Sequence, residues 1–233
     1  MKKLLMLFFC SISLSLVSNS TMQINRGYLF SIEGTEGCGK TTLVKNLVQK
    51  FSDLNLPVFI TREPGATELG KDLRAILMNR SVPTCVLSEF FLFASDRAQH
   101  FEQFIMPHLA ENHIVISDRM ADSSLVYQGH VKGLDQSKMK FVNQWAMQNR
   151  QPDLTFYLKI DPVVALERMH KRNEGFLAFE EEILQKKNQL VEGFDLILQN
   201  RDNVVVIDAT ASAEEIADQV LHAILEFIQK HDQ

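Results

Sequence analysis

The chain has 233 residues, 45% of them hydrophobic, and a formal net charge of −5. That apolar content is ample for a buried core, and the acidic balance excludes a protein that coats nucleic acid through a basic surface. Three cysteines, Cys10, Cys38 and Cys85, are too few and too scattered for a disulfide framework or a zinc site and suit a reducing compartment.

Residues 1–21, MKKLLMLFFCSISLSLVSNST, carry two lysines, an apolar run from Leu4 to Phe9 that weakens toward Val17, and small residues around Val17-Ser18-Asn19-Ser20. Alone they read as a secretory signal. A membrane span needs ~20 mostly apolar residues, and this stretch is too short and too serine-rich for one. Met22 stands just before the first element of the domain, so the alternative is that translation starts there and residues 1–21 are a misassigned or dispensable extension. The domain is expected over residues 22–233 and in the cytoplasm, with export left open by the leader.

From Gly27 onward strands and helices alternate, the pattern of a parallel sheet with helices on both faces. Strands are expected at Tyr28–Ile32, Val58–Thr61, Ile114–Ser117, Leu154–Ile160 and Val204–Ile207, each short, apolar and β-branched or aromatic. Leu43, Leu47, Phe51 and Leu54, then Leu69, Leu73, Ile76 and Leu77, recur at helical spacing and read as core stripes. Ser212-Ala213-Glu214-Glu215 has the capping-box pattern that starts a last helix. No Pro/Gly-rich linker divides the chain, so a single α/β domain is expected.

Between the first strand and the first helix lies GTEGCGKT, Gly34 to Thr41, which satisfies G-x-x-x-x-G-K-[ST] in the strand–loop–helix order its mechanism requires. Backbone N–H groups of such a loop converge on phosphate oxygens at the positive end of the helix. Gly34, Thr35, Glu36, Gly37, Cys38, Gly39, Lys40, Thr41 and Thr42 are therefore the expected ATP-binding set. Lys40 is placed to bridge the β- and γ-phosphates and Thr41 to ligate Mg²⁺. Cys38 reads as a small filler. A GTPase would add an Asn/Thr-Lys-x-Asp element, which the sequence lacks, and a motor usually needs a larger chain. The loop by itself names no acceptor.

Further motifs follow in order: TREPGATELG from Thr61, FLFASDRAQH from Phe91, ISDRMADSSLVYQG from Ile116, PDLTFYL from Pro152 and VIDAT from Val206. On these, the chain from Gly27 to its end resembles the thymidylate kinase (dTMP kinase) family of P-loop nucleoside monophosphate kinases. The resemblance implies a three-layer P-loop kinase fold, a five-stranded parallel sheet with helices on both faces and a lid. It implies transfer of the ATP γ-phosphoryl group to dTMP with Mg²⁺, and a homodimer without nucleic acid or stable membrane association. A kinase for another pyrimidine monophosphate, and a noncatalytic or exported nucleotide-binding protein of this fold, are the alternatives.

Asp118 ends the apolar strand IVIS, where a carboxylate can hold Mg²⁺ or its water, or instead cap a helix. Arg119 offers the acceptor phosphate a fork of donors. Met120 stands where the family usually has an aromatic residue or histidine. Phe93 and Arg97 share a helix face, and Phe93 taken alone also suits plain core packing. Arg97 in an apolar helix needs a partner. By resemblance Phe93 stacks on thymine, Arg97 bonds its polar edge, Glu36 accepts the sugar 3′-hydroxyl, and Ser123, Ser124 and Tyr127 line the deoxyribose and phosphate side. Arg62, Glu63 and Pro64 close the other wall.

The lid is expected at about 168–180, with Arg168, Lys171 and Arg172 as basic residues that also suit a solvated helix end. GTEGCGKT contains no arginine, so by resemblance Arg168 or Arg172 carries the catalytic charge. The family's usual Asp-Arg-x-Glu appears here as Leu177-Ala178-Phe179-Glu180, which removes one arginine. The expected catalytic set is Lys40, Asp118, Arg119, Arg168 and Arg172, with Thr41 and Asp118 as metal ligands.

Overall fold

A computed structural model of the chain describes residues 24–80, 83–171, 178–199 and 201–232. The leader, Met22, Arg172 and Leu177 lie outside them. Five apolar segments form strands β1 (Tyr28–Glu33), β2 (Val58–Arg62), β3 (Ile114–Asp118), β4 (Leu154–Lys159) and β5 (Val204–Asp208). They pair in parallel in the order β2-β3-β1-β4-β5. β1, β2, β3 and β5 each run one residue past the apolar segment, onto Glu33, Arg62, Asp118 and Asp208, while β4 stops at Lys159, one residue short of the expected Ile160. The ladder explains the extension: Asp118 still pairs in register with Ile32 of β1 and Arg62 of β2. Charged side chains thus gather at the carboxyl ends of the central strands, where open α/β sheets bind ligands.

Alternation along β1 sends Tyr28, Phe30 and Ile32 to one face of the sheet and Leu29 to the other. The first face packs on Leu43, Leu47 and Phe51 of α1 (Lys40–Asp53) and on Ile216, Val220, Ile224 and Ile228 of α10 (Ala213–His231). The four α10 residues recur every fourth position, one stripe of an amphipathic helix. Ser212 and Glu215 close the expected capping box at its start. On the opposite face Leu29 and Val115 meet Phe101, Ile105 and Met147.

The remaining helices cover that second face and the carboxyl edge. They are α2 (Glu68–Asn79), α3 (Val86–His100), α4 (Met106–Ala110), α5 (Ala121–Ser124), α6 (Gln136–Ala146), α7 (Pro162–His170), α8 (Ala178–Leu184) and α9 (Lys187–Leu198). A π turn at Phe101–Ile105 joins α3 to α4, and α5 runs into a second at Leu125–Val131. Such turns concentrate at functional sites. α9 packs on the second through Phe194, Leu190, Val126 and Tyr127. Among the described residues no helix is long and apolar enough to cross a membrane.

Candidate active site

A cleft of about 530 Å³ opens over the carboxyl ends of the strands. Its first wall is the loop between β1 and α1. Gly37 and Gly39 hold φ values of 80° and 101°, and a Cβ on Gly37 would lie 2.3 Å from the Ala165 carbonyl oxygen, so the turn depends on glycine there. Lys40 folds back into the loop: its Nζ donates to the carbonyls of Gly34 at 3.0 Å and Thr35 at 2.9 Å and lies 3.5 Å from Cys38 Sγ. Glu36 through Thr42 line the cleft, whereas Gly34 and Thr35 do not. Those two residues reach it through the carbonyls that hold Lys40. Cys38 is a fully buried free thiol, in keeping with a filler.

The second wall is the turn after β3. Arg119 has φ 70°, a left-handed conformation that costs a non-glycine residue roughly 1–3 kcal/mol. Its surroundings fix it: Arg119 N donates to Ile32 O at 2.9 Å, and Ser117 Oγ donates to Arg119 O at 2.8 Å. The turn aims the guanidinium across the loop. Nη1 donates to Gly34 O and Ser123 Oγ, both at 2.9 Å, and Nη2 pairs with Glu36 Oε1 at 2.7 Å. Tyr127 Oη donates to the same Glu36 carboxylate at 2.8 and 2.9 Å. Burial disfavours the Arg119 cation, but Tyr127, Glu36, Asp118 and Glu33 more than offset it and raise its pKa. Asp118 lines the cleft and its Oδ1 is buried without a hydrogen-bond partner.

Beneath this turn lies Glu33, which sequence reasoning missed. It accepts from Met120 N at 2.8 Å and from Ser123 Oγ at 2.5 Å. Burial, aided by the charge of Asp122, pushes its carboxyl up to about 7, against Ser123, Arg119 and Met120 N–H. An acidic residue that closes an apolar strand carries no local signal of such a role.

The third wall comes from α2, α3 and the stretch after β2. Arg62, Glu63, Pro64, Phe93, Arg97, Ser123, Ser124 and Tyr127 all line the cleft, as expected, and so does Arg74, which was not anticipated. Burial and the nearby charges of Arg62 and Arg119 lower the Arg74 pKa. The fully buried Arg97 donates to Asn143 Oδ1 at 2.7 Å and Ser124 Oγ at 3.3 Å. Glu63 turns its carboxylate to Arg97 and His100, whose charges hold it low despite burial.

Arg168 of α7 also lines the cleft, its Nη1 donating to Ala209 O at 2.8 Å. Phe179 of α8, within the segment expected as the lid, lines the cleft as well. It stacks on Tyr127 at 5.9 Å and meets Phe93 edge-on at 6.5 Å. Arg80 and Lys132 lie over its ring and pair with Glu89 and Glu182.

Comparison with known proteins gives this geometry its context. A family model described as thymidylate kinase matches residues 32–220. A thymidylate kinase of Carboxydothermus hydrogenoformans is 40% identical over 191 residues, covering 82% of this chain and 93% of that protein. Those of Halothermothrix orenii and Maridesulfovibrio salexigens are 36% and 39% identical. Each covers 85% of this chain, and 97% and 95% of the respective protein.

Proposed function

The chain belongs to the thymidylate kinase family, and from that premise we infer its reaction: it transfers the γ-phosphoryl group of ATP to dTMP, giving dTDP and ADP. The observation that carries this reading is Arg119, whose one guanidinium touches Gly34 and Glu36 of the phosphate loop and Ser123 of the opposite wall. A donor fork at that junction is placed to hold an acceptor phosphate in line with a nucleotide on the loop. Arg62 and Arg74 add positive charge beside it.

Use of Mg²⁺ with ATP is typical of the family. The unpartnered, buried Oδ1 of Asp118 and the Thr41 side chain at the start of α1 fit that ion, which takes one or two protein oxygens and fills its shell with water and phosphate. Bound there, it would neutralise charge on the β- and γ-phosphates. Lys40 exchanges its loop carbonyls for phosphate oxygens. Arg168, and Arg172 by family resemblance, bring further charge as the lid closes and water is excluded. Phe93 stacks on the base, Arg97 meets its polar edge, and Tyr127 and Glu36 face the sugar.

The homodimer expected of the family is supported by one apolar face. α3 and α6 pack together, and Leu87 and Phe91 of the first and Phe141 and Trp145 of the second are all exposed. Their neighbours on α3 do not contribute: Phe90 is buried, Leu92 packs against the core around Phe194, and Phe93 lines the cleft.

A coupled ADP-release assay of the purified chain with dTMP, dUMP and dCMP tests the reaction. Preference for dTMP is expected. Stronger turnover of dUMP or dCMP would reassign the acceptor, and binding of ATP and dTMP without dTDP would make the protein noncatalytic.

A further inference from the structure

Four buried side chains join in a line that runs into the third wall of the cleft. Thr61 Oγ1 lies 2.6 Å from Nε2 of His100, and His100 Nδ1 lies 3.1 Å from Glu63 Oε1. Glu63 Oε2 lies 2.9 Å from Arg97 Nε. All four residues are buried, His100 completely. A carboxylate only accepts, so Nδ1 carries the hydrogen toward Glu63, while the Thr61 hydroxyl can donate to Nε2 or accept from it.

The last contact differs in kind. Neither Arg97 Nε nor Glu63 Oε2 makes an aligned hydrogen bond, so the pair attracts by charge but does not fix Glu63 in direction. His100 supplies that direction. Arg97 is then held by hydrogen bonds from its two Nη atoms to Asn143 and Ser124 and, at Nε, by the charge of the Glu63 carboxylate that His100 orients. A buried guanidinium is tolerated because these groups match it.

We propose that His100 is a positioning residue for recognition of the acceptor base: through Glu63 it sets the roll of the Arg97 guanidinium in the wall of the cleft. This rests on the reading that Arg97 meets the base edge. A guanidinium donates and does not accept, so it suits the 4-carbonyl of thymine and opposes the 4-amino group of cytosine. The property His100 protects is therefore base choice.

The test uses the full chain and His100→Leu, His100→Asn and Thr61→Val variants, with calorimetric binding of dTMP and kinetics for dTMP, dCMP and ATP. His100→Leu removes a buried hydrogen bond and leaves Glu63 half-satisfied, so Kd and KM for dTMP rise about tenfold. kcat stays within about threefold, the ATP KM is unchanged, and the preference for dTMP over dCMP narrows by the same factor as the dTMP loss. Thr61→Val moves the same way by about threefold, and His100→Asn, whose amide still donates toward Glu63, recovers most of the loss. Unchanged dTMP affinity, or equal losses for dTMP and dCMP, overturns the proposal. Should His100→Leu not fold, Thr61→Val and His100→Asn decide it on the same readouts. A wild-type chain that binds dTMP without turning it over refutes the reaction and leaves this proposal standing, whereas one that binds no dTMP refutes both.

Discussion

Glu33 and Arg119 illustrate what single residues contribute and what a sequence conceals about them. Arg119 was legible because it stands in a motif beside Asp118 after an apolar strand. Glu33 was not, since its role depends on Met120 and Ser123, brought over it only by the fold. The Glu33 carboxyl titrates near 7 folded, against an ordinary value of 4.5. Between those values the folded chain keeps a proton the unfolded chain has lost, so this group makes stability fall as pH rises from about 4.5 to 7 and leaves it flat above. Asp96, pushed up to about 6 by burial and by the charge of Glu63, acts in the same direction between about 4 and 6. The melting temperature of Glu33→Gln, followed from pH 5 to 8, is therefore expected to decline less than wild type, with the difference greatest from pH 6 to 7, above the range of Asp96. Each 1 kcal/mol corresponds to about 2–4 °C for a chain of this size, and parallel curves would contradict the assignment.

At the scale of elements, short β-branched and aromatic runs announced all five strands, apolar residues at helical spacing announced α1 and α2, though Leu54 and Leu69 of those stripes are exposed rather than core, and the capping box announced α10. The two π turns were not legible, because one extra residue in a helical turn leaves no signature in an apolar pattern. Nor was the docking of α8. Leu177-Ala178-Phe179-Glu180 reads in sequence only as a departure from the family's Asp-Arg-x-Glu, yet Phe179 turns inward against Tyr127 and Phe93 while Glu182 pairs outward with Arg80 and Lys132. The ring and the ion pairs can be separated by substitution. Phe179→Ala removes an aromatic surface of the cleft, and its dTMP KM is expected to rise about tenfold, equivalent to about 1.4 kcal/mol. Glu182 is 40% exposed, and pairs so placed contribute about 0–1 kcal/mol, so Glu182→Gln should shift that KM less than threefold. Steady-state kinetics with ATP saturating checks both, and equal effects would show that charge rather than the ring seats α8.

For the whole molecule, the alternating pattern specified a parallel sheet but not the neighbours of each strand. β1 lies between β3 and β4 because the crossovers place it there, and that order sets Glu33, Arg62 and Asp118 along one edge. The outer surface has a similar logic. α3 turns Phe93 and Arg97 inward to the cleft and Phe91 outward, so one helix serves both the site and the exposed apolar face. Trp145 and Phe141, 76% and 68% exposed, extend that face along α6. Contiguous apolar surface rimmed by polar side chains marks an association site, and an interface between two copies rotated by a two-fold axis brings the same patch together from both sides. A Phe141→Glu/Trp145→Glu double variant places two buried carboxylates from each copy into that contact, which is strongly unfavourable. Sedimentation velocity is expected to show wild type as a dimer and the double variant as a monomer. Because α3 is then braced on one side only, the dTMP KM should rise while the ATP KM, set by the loop and α1 on another wall, holds. A wild-type monomer, or a double variant that remains dimeric, would remove this face from the assembly.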